Sequence, residues 1–262
     1  MSIKTIFSAM ALAALFGLSS CDTKELDERF TYVKPMSVGR NVLIEDFTGQ
    51  RCVNCPNATL EIERLQDYYG ADTVIAVGIH SGPFAKTSRG VPYPLYTETG
   101  DEYFNYWRVE SQPKGVVDRL GTSEYTAWGS VVREELSRTA PLSLSVTASY
   151  NPSTGSADID VTSMGIDGNS TGKLQGWLIE DGVVAFQYMP DGSTNREYVH
   201  NHVFRCAVNG TWGTDFSIAE GQTKSEHLTY ALNEEWVPGN MSVVAFVYNN
   251  AGVLQVTKGK LQ

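Results

Sequence analysis

The sequence predicts two folded parts, an α/β layer over residues 41–139 and an all-β sandwich over residues 140–262. In the first part, short apolar runs of strand-forming residues alternate with segments whose apolar residues recur at helical spacing. In the second part the apolar period falls to two, and turn residues separate the short segments, which is typical of packed antiparallel sheets. The chain has 262 residues, which is long enough for two domains of ordinary size.

Residues 1–20 have the pattern of a secretory signal. A single cation, Lys4, precedes an apolar run that is too short to form a membrane-spanning helix, and small residues follow it. The final LSSC, ending at Cys21, resembles the processing box of bacterial lipoproteins, which implies cleavage before Cys21 and acylation of this cysteine. Several acyl chains on one residue anchor a protein stably. The alternative is ordinary secretion without a lipid on Cys21.

Residues 21–40 are charged and have no apolar periodicity, so they are predicted to be a tether. Its acidic start, at Asp22, Glu25, Asp27 and Glu28, is similar to the surface-export signals of Bacteroides-type lipoproteins. The alternative is a solvated linker without a sorting role.

The charge balance argues against nucleic acid as a partner. The formal net charge is −10 at pH 7, and removal of Lys4 with the signal takes it from −10 to −11. No basic stripe compensates this charge, so nucleic acid would be repelled. We therefore expect two partners: the membrane, through lipid on Cys21, and an unidentified envelope or extracellular protein.

The first part is predicted to alternate strands with helices. Apolar residues at steps of four and three define the first helix, and Gly70 ends it. A serine at position 123 is a suitable cap for the second helix. The predicted strands are residues 41–47, 73–80 and 114–120, and the predicted helices are residues 58–69 and 123–138.

The region between His80 and Gln112 fits neither pattern. It is rich in Gly, Pro and Tyr, and long irregular loops in compact units often carry function. The tyrosines of residues 93–107 and Trp107 have two equally favoured roles. They could form an aromatic binding surface, or they could pack the loop onto the domain.

The second part is predicted to consist of short strands. In residues 142–150, alternate side chains are apolar, so one face of the strand is expected to be buried. The segment NNAG, residues 249–252, is predicted to be the turn of a hairpin. Further predicted strands are residues 157–164, 173–180, 183–188, 197–208, 224–232, 242–249 and 253–261.

Cys52 and Cys55 form a C-x-x-C motif between the first strand and the first helix. A strand, a tight turn, C-x-x-C, a helix and a later proline before another strand together resemble the thioredoxin fold. The resemblance implies that Cys52 is the exposed nucleophile and Cys55 the resolving thiol. It places a buried acid at Asp46 and a cis-proline at Pro113. A thiolate at a helix N-terminus has a lowered pKa and reacts faster.

Two residues depart from the thioredoxin pattern. Arg51 stands where thioredoxins usually have Trp, and Pro56 follows the second cysteine. A proline here lacks the N–H that would bond to the carbonyl of Cys52, and it disfavours helical geometry at Cys55. A helix that begins at Pro56 would direct its dipole nearer Cys55 than Cys52, which weakens the activation of Cys52.

The alternative role of the cysteine pair is a structural disulfide, because an exported protein keeps disulfides oxidised. Metal binding is disfavoured, since four-coordinate zinc needs two further ligands and no second C-x-x-C or suitably spaced histidine pair follows. The sequence has no phosphate loop, nucleophile elbow or zinc-binding helix motif, so neither a cofactor nor a metal is predicted.

His200, His202 and Cys206 stand at alternate positions of one predicted strand and are expected to share a face. The two histidines are close enough to share a metal. The favoured alternative is a pair of hydrogen-bonded histidines at a sheet or domain boundary, with Cys206 as a small buried residue.

The LSSC box, VLIEDFTGQRCVNCPNA, a proline-led VVDR strand and HNHVFRCAVNGTWG occur here in this order. Together they resemble the outer membrane protein 28 family, lipoproteins of Bacteroides-type envelopes with a thioredoxin-like part and a β-sandwich part. The resemblance implies a lipid-anchored protein of the outer membrane, on its periplasmic side or at the cell surface. For the second part we predict an immunoglobulin-like sandwich.

Two functions are consistent with these features. In the first, the protein carries out thiol–disulfide exchange on envelope proteins: Cys52 attacks, Cys55 resolves, Asp46 assists proton transfer and Pro113 aligns the partner chain. In the second, it is a non-enzymatic binding or adhesin-like protein, in which the cysteines form a structural disulfide. The first requires the sulfur of Cys52 to be exposed to water beside the loop that carries Pro113.

Overall fold

A nine-stranded mixed sheet lies at the centre of the structure, a computed structural model that describes residues 33–262. Residues Lys34–Gln262 form one compact unit. Within the sheet, strands from the two predicted parts lie side by side in the order β16-β15-β9-β12-β3-β2-β4-β5, and β13 pairs with β9. These strands are β2 (Val42–Thr48), β3 (Val74–His80), β4 (Lys114–Val117), β5 (Thr122–Ser123), β9 (Ser170–Glu180), β12 (Val203–Ala207), β13 (Thr214–Ile218), β15 (Met241–Asn249) and β16 (Gly252–Lys260).

The remaining strands form three smaller sheets. A three-stranded antiparallel sheet has the order β14-β8-β7, and the other two sheets are the strand pairs β1–β6 and β10–β11. Their bounds are β1 (Val38–Gly39), β6 (Thr139–Ala140), β7 (Leu142–Asn151), β8 (Ser156–Gly165), β10 (Val183–Tyr188), β11 (Thr194–His200) and β14 (Thr223–Ala231).

Three helices pack on the part of the central sheet that contains β2, β3 and β4. α1 (Cys55–Tyr69) and α3 (Tyr125–Leu136) agree with the predicted helices to within a turn. α2 (Glu98–Tyr106) lies in the region predicted to be irregular, and the side chain of Thr97 caps it by accepting from the N–H of Gly100. Among residues 33–262, none of the helices has the length and apolar character that crossing a bilayer requires.

The central sheet has an apolar core on each face. On one face, α1 and α3 pack on β2, β3 and β4, and the three-stranded sheet packs farther along on β9 and β15. On the other face, α2 covers a core that contains Phe47, Tyr103, Trp177 and Phe246. Strands β2 and β3 are therefore buried on both sides, which explains their continuous apolar runs.

The prediction of a thioredoxin-like α/β domain followed by a separate sandwich is wrong. Strands outnumber helices, and no separate α/β domain forms, because β12 pairs in parallel with β3 at Val203 and Gly78 and joins the later strands to the earlier ones. The N–H of Gly78 donates to the carbonyl oxygen of His202 at 2.8 Å. Without β12, the buried edge of β3 would carry unpaired polar groups, which is costly.

The end of the predicted tether belongs to the fold. β1 pairs with β6, and the buried side chain of Arg40 forms ion pairs with Asp118 at 3.3 Å and Glu135 at 3.1 Å. The predicted signal at residues 1–20 and the predicted lipidation site at Cys21 lie outside the described residues.

Candidate functional site

The C-x-x-C motif lies in a tight turn between β2 and α1. The N–H of Cys52 donates to the carbonyl oxygen of Gly49 at 2.9 Å, and the N–H of Arg51 donates to that of Phe84 at 3.0 Å. Gly49 approaches the backbone so closely that a Cβ there would lie 2.5 Å from the carbonyl carbon of Phe84. The turn is therefore fixed by backbone contacts, and α1 begins at Cys55 rather than at Pro56.

Cys52 and Cys55 are joined in a disulfide, and each residue is only 2% exposed. The β10–β11 hairpin covers the turn. The amide of Gln187 donates to the carbonyl oxygen of Cys52 at 2.8 Å, and the N–H of Tyr188 donates to that of Gln50 at 2.9 Å. The expectation that the sulfur of Cys52 is exposed to water is therefore not met in this structure.

A cavity of about 190 Å³ lies behind the disulfide and is lined by Asp46, Cys55, His80 and His200, among others. Burial raises the pKa of Asp46 to about 7, and its Oδ1 has no hydrogen-bond partner among the described residues. Burial also lowers the pKa of His200 to about 4 and that of His80 well below its usual value. All three side chains are thus neutral over part of the range below pH 7.

His200 and His202 do not share a strand face. β11 ends at His200, which lies in the cavity with its ring centroid 5.1 Å from that of His80. His202 takes a left-handed φ of 56°, and its ring Nδ1 lies 3.1 Å from Asp181. The expectation of a single strand through residues 197–208 is wrong because the chain turns between β11 and β12. Among the described residues, no group of three or more His, Cys, Asp or Glu is placed to hold a metal.

The other two residues singled out in the sequence have different surroundings. The peptide bond between Gln112 and Pro113 is cis, and the amide of Gln112 donates to the carbonyl oxygen of Thr48 at 2.7 Å. A catalytic role for Pro113 stays a prediction. Cys206 lies in the core between the two sheets, where burial raises the pKa of its thiol to about 12. We therefore expect this thiol to react slowly in the folded protein.

A second concave site, which we call the aromatic groove, was only partly signalled by the sequence. Its walls come from the end of α2, the loop after β12, the start of β9 and the turn between β15 and β16, and its volume is about 610 Å³. Tyr106 and Trp107 belong to the region that the sequence suggested as an aromatic surface, whereas Trp212, Tyr248 and Arg119 were not connected with it. The groove is lined by Tyr106, Trp107, Trp212, Tyr248, Lys173 and Asn250, with Arg119 at its base.

The tyrosine-rich loop is divided between packing and surface. Tyr103 is fully buried against Trp177, with ring centroids 5.3 Å apart, whereas Tyr106 is 61% exposed. Tyr93 packs against Phe186 of the β10–β11 hairpin, with centroids 4.9 Å apart. Some of these aromatic residues therefore pack the loop onto the fold and others lie at the surface, and a binding role for the latter stays a prediction.

Comparison with known proteins yields one family and several structures. The family described as Outer membrane protein Omp28 matches residues 100–262. The structure "HBP35 of Porphyromonas gingivalis" is similar with a TM-score of 0.67 and 17% identity, covering 86% of this chain and 76% of that chain, which indicates a shared fold. A domain of the outer membrane lipoprotein Omp28 from Porphyromonas gingivalis is 28% identical with a TM-score of 0.35, covering 47% and 89% of the two chains. No curated protein matches the chain.

Proposed function

This chain belongs to the Omp28 family of outer membrane proteins, and we propose that it acts in that membrane as a non-enzymatic binding protein whose Cys52–Cys55 disulfide is structural. We propose that lipid on Cys21 anchors it. Its partner in this proposal is an envelope or extracellular molecule that it holds without altering it chemically.

The observation that carries the proposal is the burial of the disulfide. An exchange reaction needs a thiolate to approach one sulfur along the S–S axis, and the rate depends on access to this sulfur. Here both cysteines are 2% exposed, and Gln187 of the covering hairpin is hydrogen-bonded to the turn itself. The buried bond instead fixes the turn against α1 and the hairpin.

The size of the structural contribution follows from the short loop that the bond closes. The cysteines are three positions apart. The chain-entropy relation gives about 2 kcal/mol of stabilisation for so short a loop. We expect the double variant Cys52→Ala/Cys55→Ala to fold and to lose about this much free energy of unfolding.

Two assays on the purified protein test the assignment. In the first, the protein is treated with a mild reductant and then with a thiol-specific reagent, either in its native state or unfolded in urea. We expect Cys52 and Cys55 to be labelled only in the unfolded protein. In the second, insulin reduction is followed with the wild type and with Cys52→Ser; we expect no activity from either. Rapid labelling of the native protein, together with insulin reduction that Cys52→Ser abolishes, would show that the disulfide is not purely structural.

Thiol–disulfide exchange is kept as a second candidate because of Asp46. This carboxyl lines the same cavity as Cys55, and a pKa of about 7 suits proton transfer near neutral pH. In the reduced protein, the thiolate of Cys52 would attack a partner disulfide. Cys55, giving its proton to Asp46, would then displace the partner's sulfur, so that the Cys52–Cys55 bond forms while the partner's disulfide becomes two thiols. Pro113 would align the partner. This candidate requires the hairpin to move away, and Asp46→Asn should then slow exchange.

A further inference from the structure

We propose that the aromatic groove binds a neutral oligosaccharide chain; this inference rests on the proposed binding function and assigns it a site and a ligand class. The groove is separate from the cavity behind the disulfide, since the two share no lining residue. It combines exposed aromatic faces with amide and charged groups, which is the composition of a polar ligand site.

The exposed rings are held in place before any ligand arrives. The ring of Tyr106 lies 4.5 Å from that of Trp212 and 5.1 Å from that of Trp107, measured between centroids. The hydroxyl of Tyr248 donates to the carbonyl oxygen of Trp212 at 2.8 Å. Gly213, with a φ of 71°, permits the sharp turn after Trp212; a Cβ there would lie 2.2 Å from a backbone oxygen of β9. A preformed surface loses little conformational entropy on binding.

The base of the groove carries a buried cation. The side chain of Arg119 is 3% exposed, its Nε donates to Glu45 at 3.0 Å, and its guanidinium carbon lies 4.0 Å from the ring centroid of Tyr248. Nη2 of Arg119 has no hydrogen-bond partner among the described residues. An unsatisfied buried donor favours a ligand that brings an acceptor oxygen.

The charges around the groove are already paired, which selects against charged ligands. Arg119 pairs with Glu45, and Lys173 pairs with Asp215 at 2.7 Å. An anionic ligand would therefore meet no unpaired positive charge, and the carboxylates of Glu45 and Asp215 would repel it. An ammonium ligand would meet the guanidinium of Arg119 beneath the rings, where a cation is already stacked.

The shape favours a chain of linked units rather than one compact molecule. Beyond Lys173 and Asn250, the groove continues into a depression of about 530 Å³ with which it shares these residues. That depression leads through Thr171 and Gly172 into another of about 370 Å³, lined by Ser217 and Lys224 among others. The aromatic end thus opens into a furrow of mixed surface, in which Thr171, Lys173 and Asn250 supply polar groups.

A sugar chain has the surface that this furrow complements. The C–H face of a sugar ring is apolar and stacks on an aromatic ring, while the hydroxyls at its edge both donate and accept hydrogen bonds. Asn250 and Lys173 provide such partners along the furrow, and Arg119 offers a donor at its base. An apolar peptide would leave Nη2 of Arg119 without a partner and would cover the amide of Asn250, which is unfavourable.

The test uses the full chain and three neutral probes of six sugar units: maltohexaose, cellohexaose and hexa-N-acetylchitohexaose. Binding of each probe is measured by isothermal titration calorimetry. We expect at least one to bind and quench tryptophan fluorescence. Tyr106→Ala and Trp212→Ala should each weaken its binding about tenfold. Tyr68→Ala, at a tyrosine of α1 that is 77% exposed, is the matched control and should bind as the wild type does.

Three outcomes would overturn the inference: none of the probes binds, binding is equally strong in Tyr106→Ala and Tyr68→Ala, or only an acidic chain such as oligogalacturonate binds. Circular dichroism of each variant shows whether it is folded. If Trp212→Ala does not fold, Asn250→Ala, at an exposed turn, replaces it as the groove variant. The insulin assay keeps this test separate from that of the proposed function. If no sugar binds and the disulfide is inert in the insulin assay, only the assignment of the groove is rejected. If insulin is reduced in a way that depends on Cys52, only the structural role of the disulfide is rejected.

Discussion

The side-chain amide of Gln187 donates a hydrogen bond to the backbone carbonyl of Cys52 at 2.8 Å, across 135 positions of sequence. The same amide nitrogen lies within 3.4 Å of the carbonyl oxygen of Gly49. Through this side chain and the N–H of Tyr188, the β10–β11 hairpin holds the turn that contains the disulfide and covers both cysteines. The covering of the disulfide therefore depends on a residue of the second half of the chain.

The first prediction concerns this contact. In Gln187→Ala, the carbonyls of Gly49 and Cys52 lose the amide of Gln187 and keep only their backbone donors, so the free energy of unfolding should fall by about 1 kcal/mol. The hairpin should also open more often, so a small phosphine should reduce the disulfide faster in native protein. Urea unfolding measures the change in stability, and the rate of thiol release measures the reduction of the disulfide.

Val184→Ala is the control for that variant, because Val184 lies on the same hairpin and is 62% exposed. Its stability should stay within about 0.5 kcal/mol of the wild type, with an unchanged rate of reduction. Equal rates of thiol release in Gln187→Ala and the wild type would mean that Gln187 does not hold the cover in place.

The second prediction concerns pH. The pKa of Asp46 is about 7 in the folded protein and near 3.9 in the unfolded chain, so between these values the folded state binds more protons. The contribution of Asp46 to stability should therefore be fully present below about pH 4 and be lost as the pH rises through about 7. Its upper limit, from the difference between the two pKa values, is about 4 kcal/mol.

Asp118 and His200 also titrate in this range, with pKa values of about 7 and about 4. Asp118 acts in the same direction as Asp46, whereas the lowered pKa of His200 makes stability rise with pH. The measurement is therefore the difference in free energy of unfolding between the wild type and Asp46→Asn, from pH 4 to 8, in which the other groups cancel. A difference that does not change across this range would contradict the prediction.

The third prediction concerns the close approach at Gly49. In Gly49→Ala, the new Cβ would be placed 2.5 Å from the backbone of Phe84, so the turn must shift. We expect a loss of about 1–3 kcal/mol in thermal or urea unfolding. Gly39→Ala is the matched control, because no atom lies within 4 Å of the added Cβ, and it should leave stability nearly unchanged. An equal loss of stability in Gly49→Ala and Gly39→Ala would contradict the prediction.

The fourth prediction concerns the ion pair beneath the aromatic groove. Glu45→Gln leaves the buried guanidinium of Arg119 without its counter-charge, which should cost about 3–5 kcal/mol. The control is Glu124→Gln, which removes the partner of Lys114; the side chain of Glu124 is 58% exposed, so the cost should be below about 1 kcal/mol. Comparable losses in urea unfolding would mean that the Glu45–Arg119 pair contributes no more than a surface pair.

Local patterns predicted much of the secondary structure. The helical spacing of apolar residues located α1 and α3, and the buried runs located β2 and β3. Each of these signals lies within one element. The predicted strand at 114–120 ends early, at Val117, because Asp118 and Arg119 take left-handed φ angles of 48° and 59°. Asp118 then accepts a hydrogen bond from the N–H of Leu43, a contact that local sequence does not encode.

Long-range pairing was not predictable from those patterns. Periodicity indicates which face a strand buries but not which strand lies beside it, so the pairing of β12 with β3 was missed. For the same reason, C-x-x-C predicted a reactive turn but not the hairpin that covers it. The sequence suggested an aromatic surface at residues 93–107, but not that Trp212 and Tyr248 join Tyr106 in one groove, because the three come from separate segments.

The reduction potential of the Cys52–Cys55 pair in the folded protein tests the central claim most directly. A buried structural disulfide held by the surrounding fold should have a potential below about −300 mV, beyond reduction by ordinary thiol donors. A potential between about −270 and −120 mV, the range of thiol–disulfide oxidoreductases, would contradict the structural assignment and favour exchange.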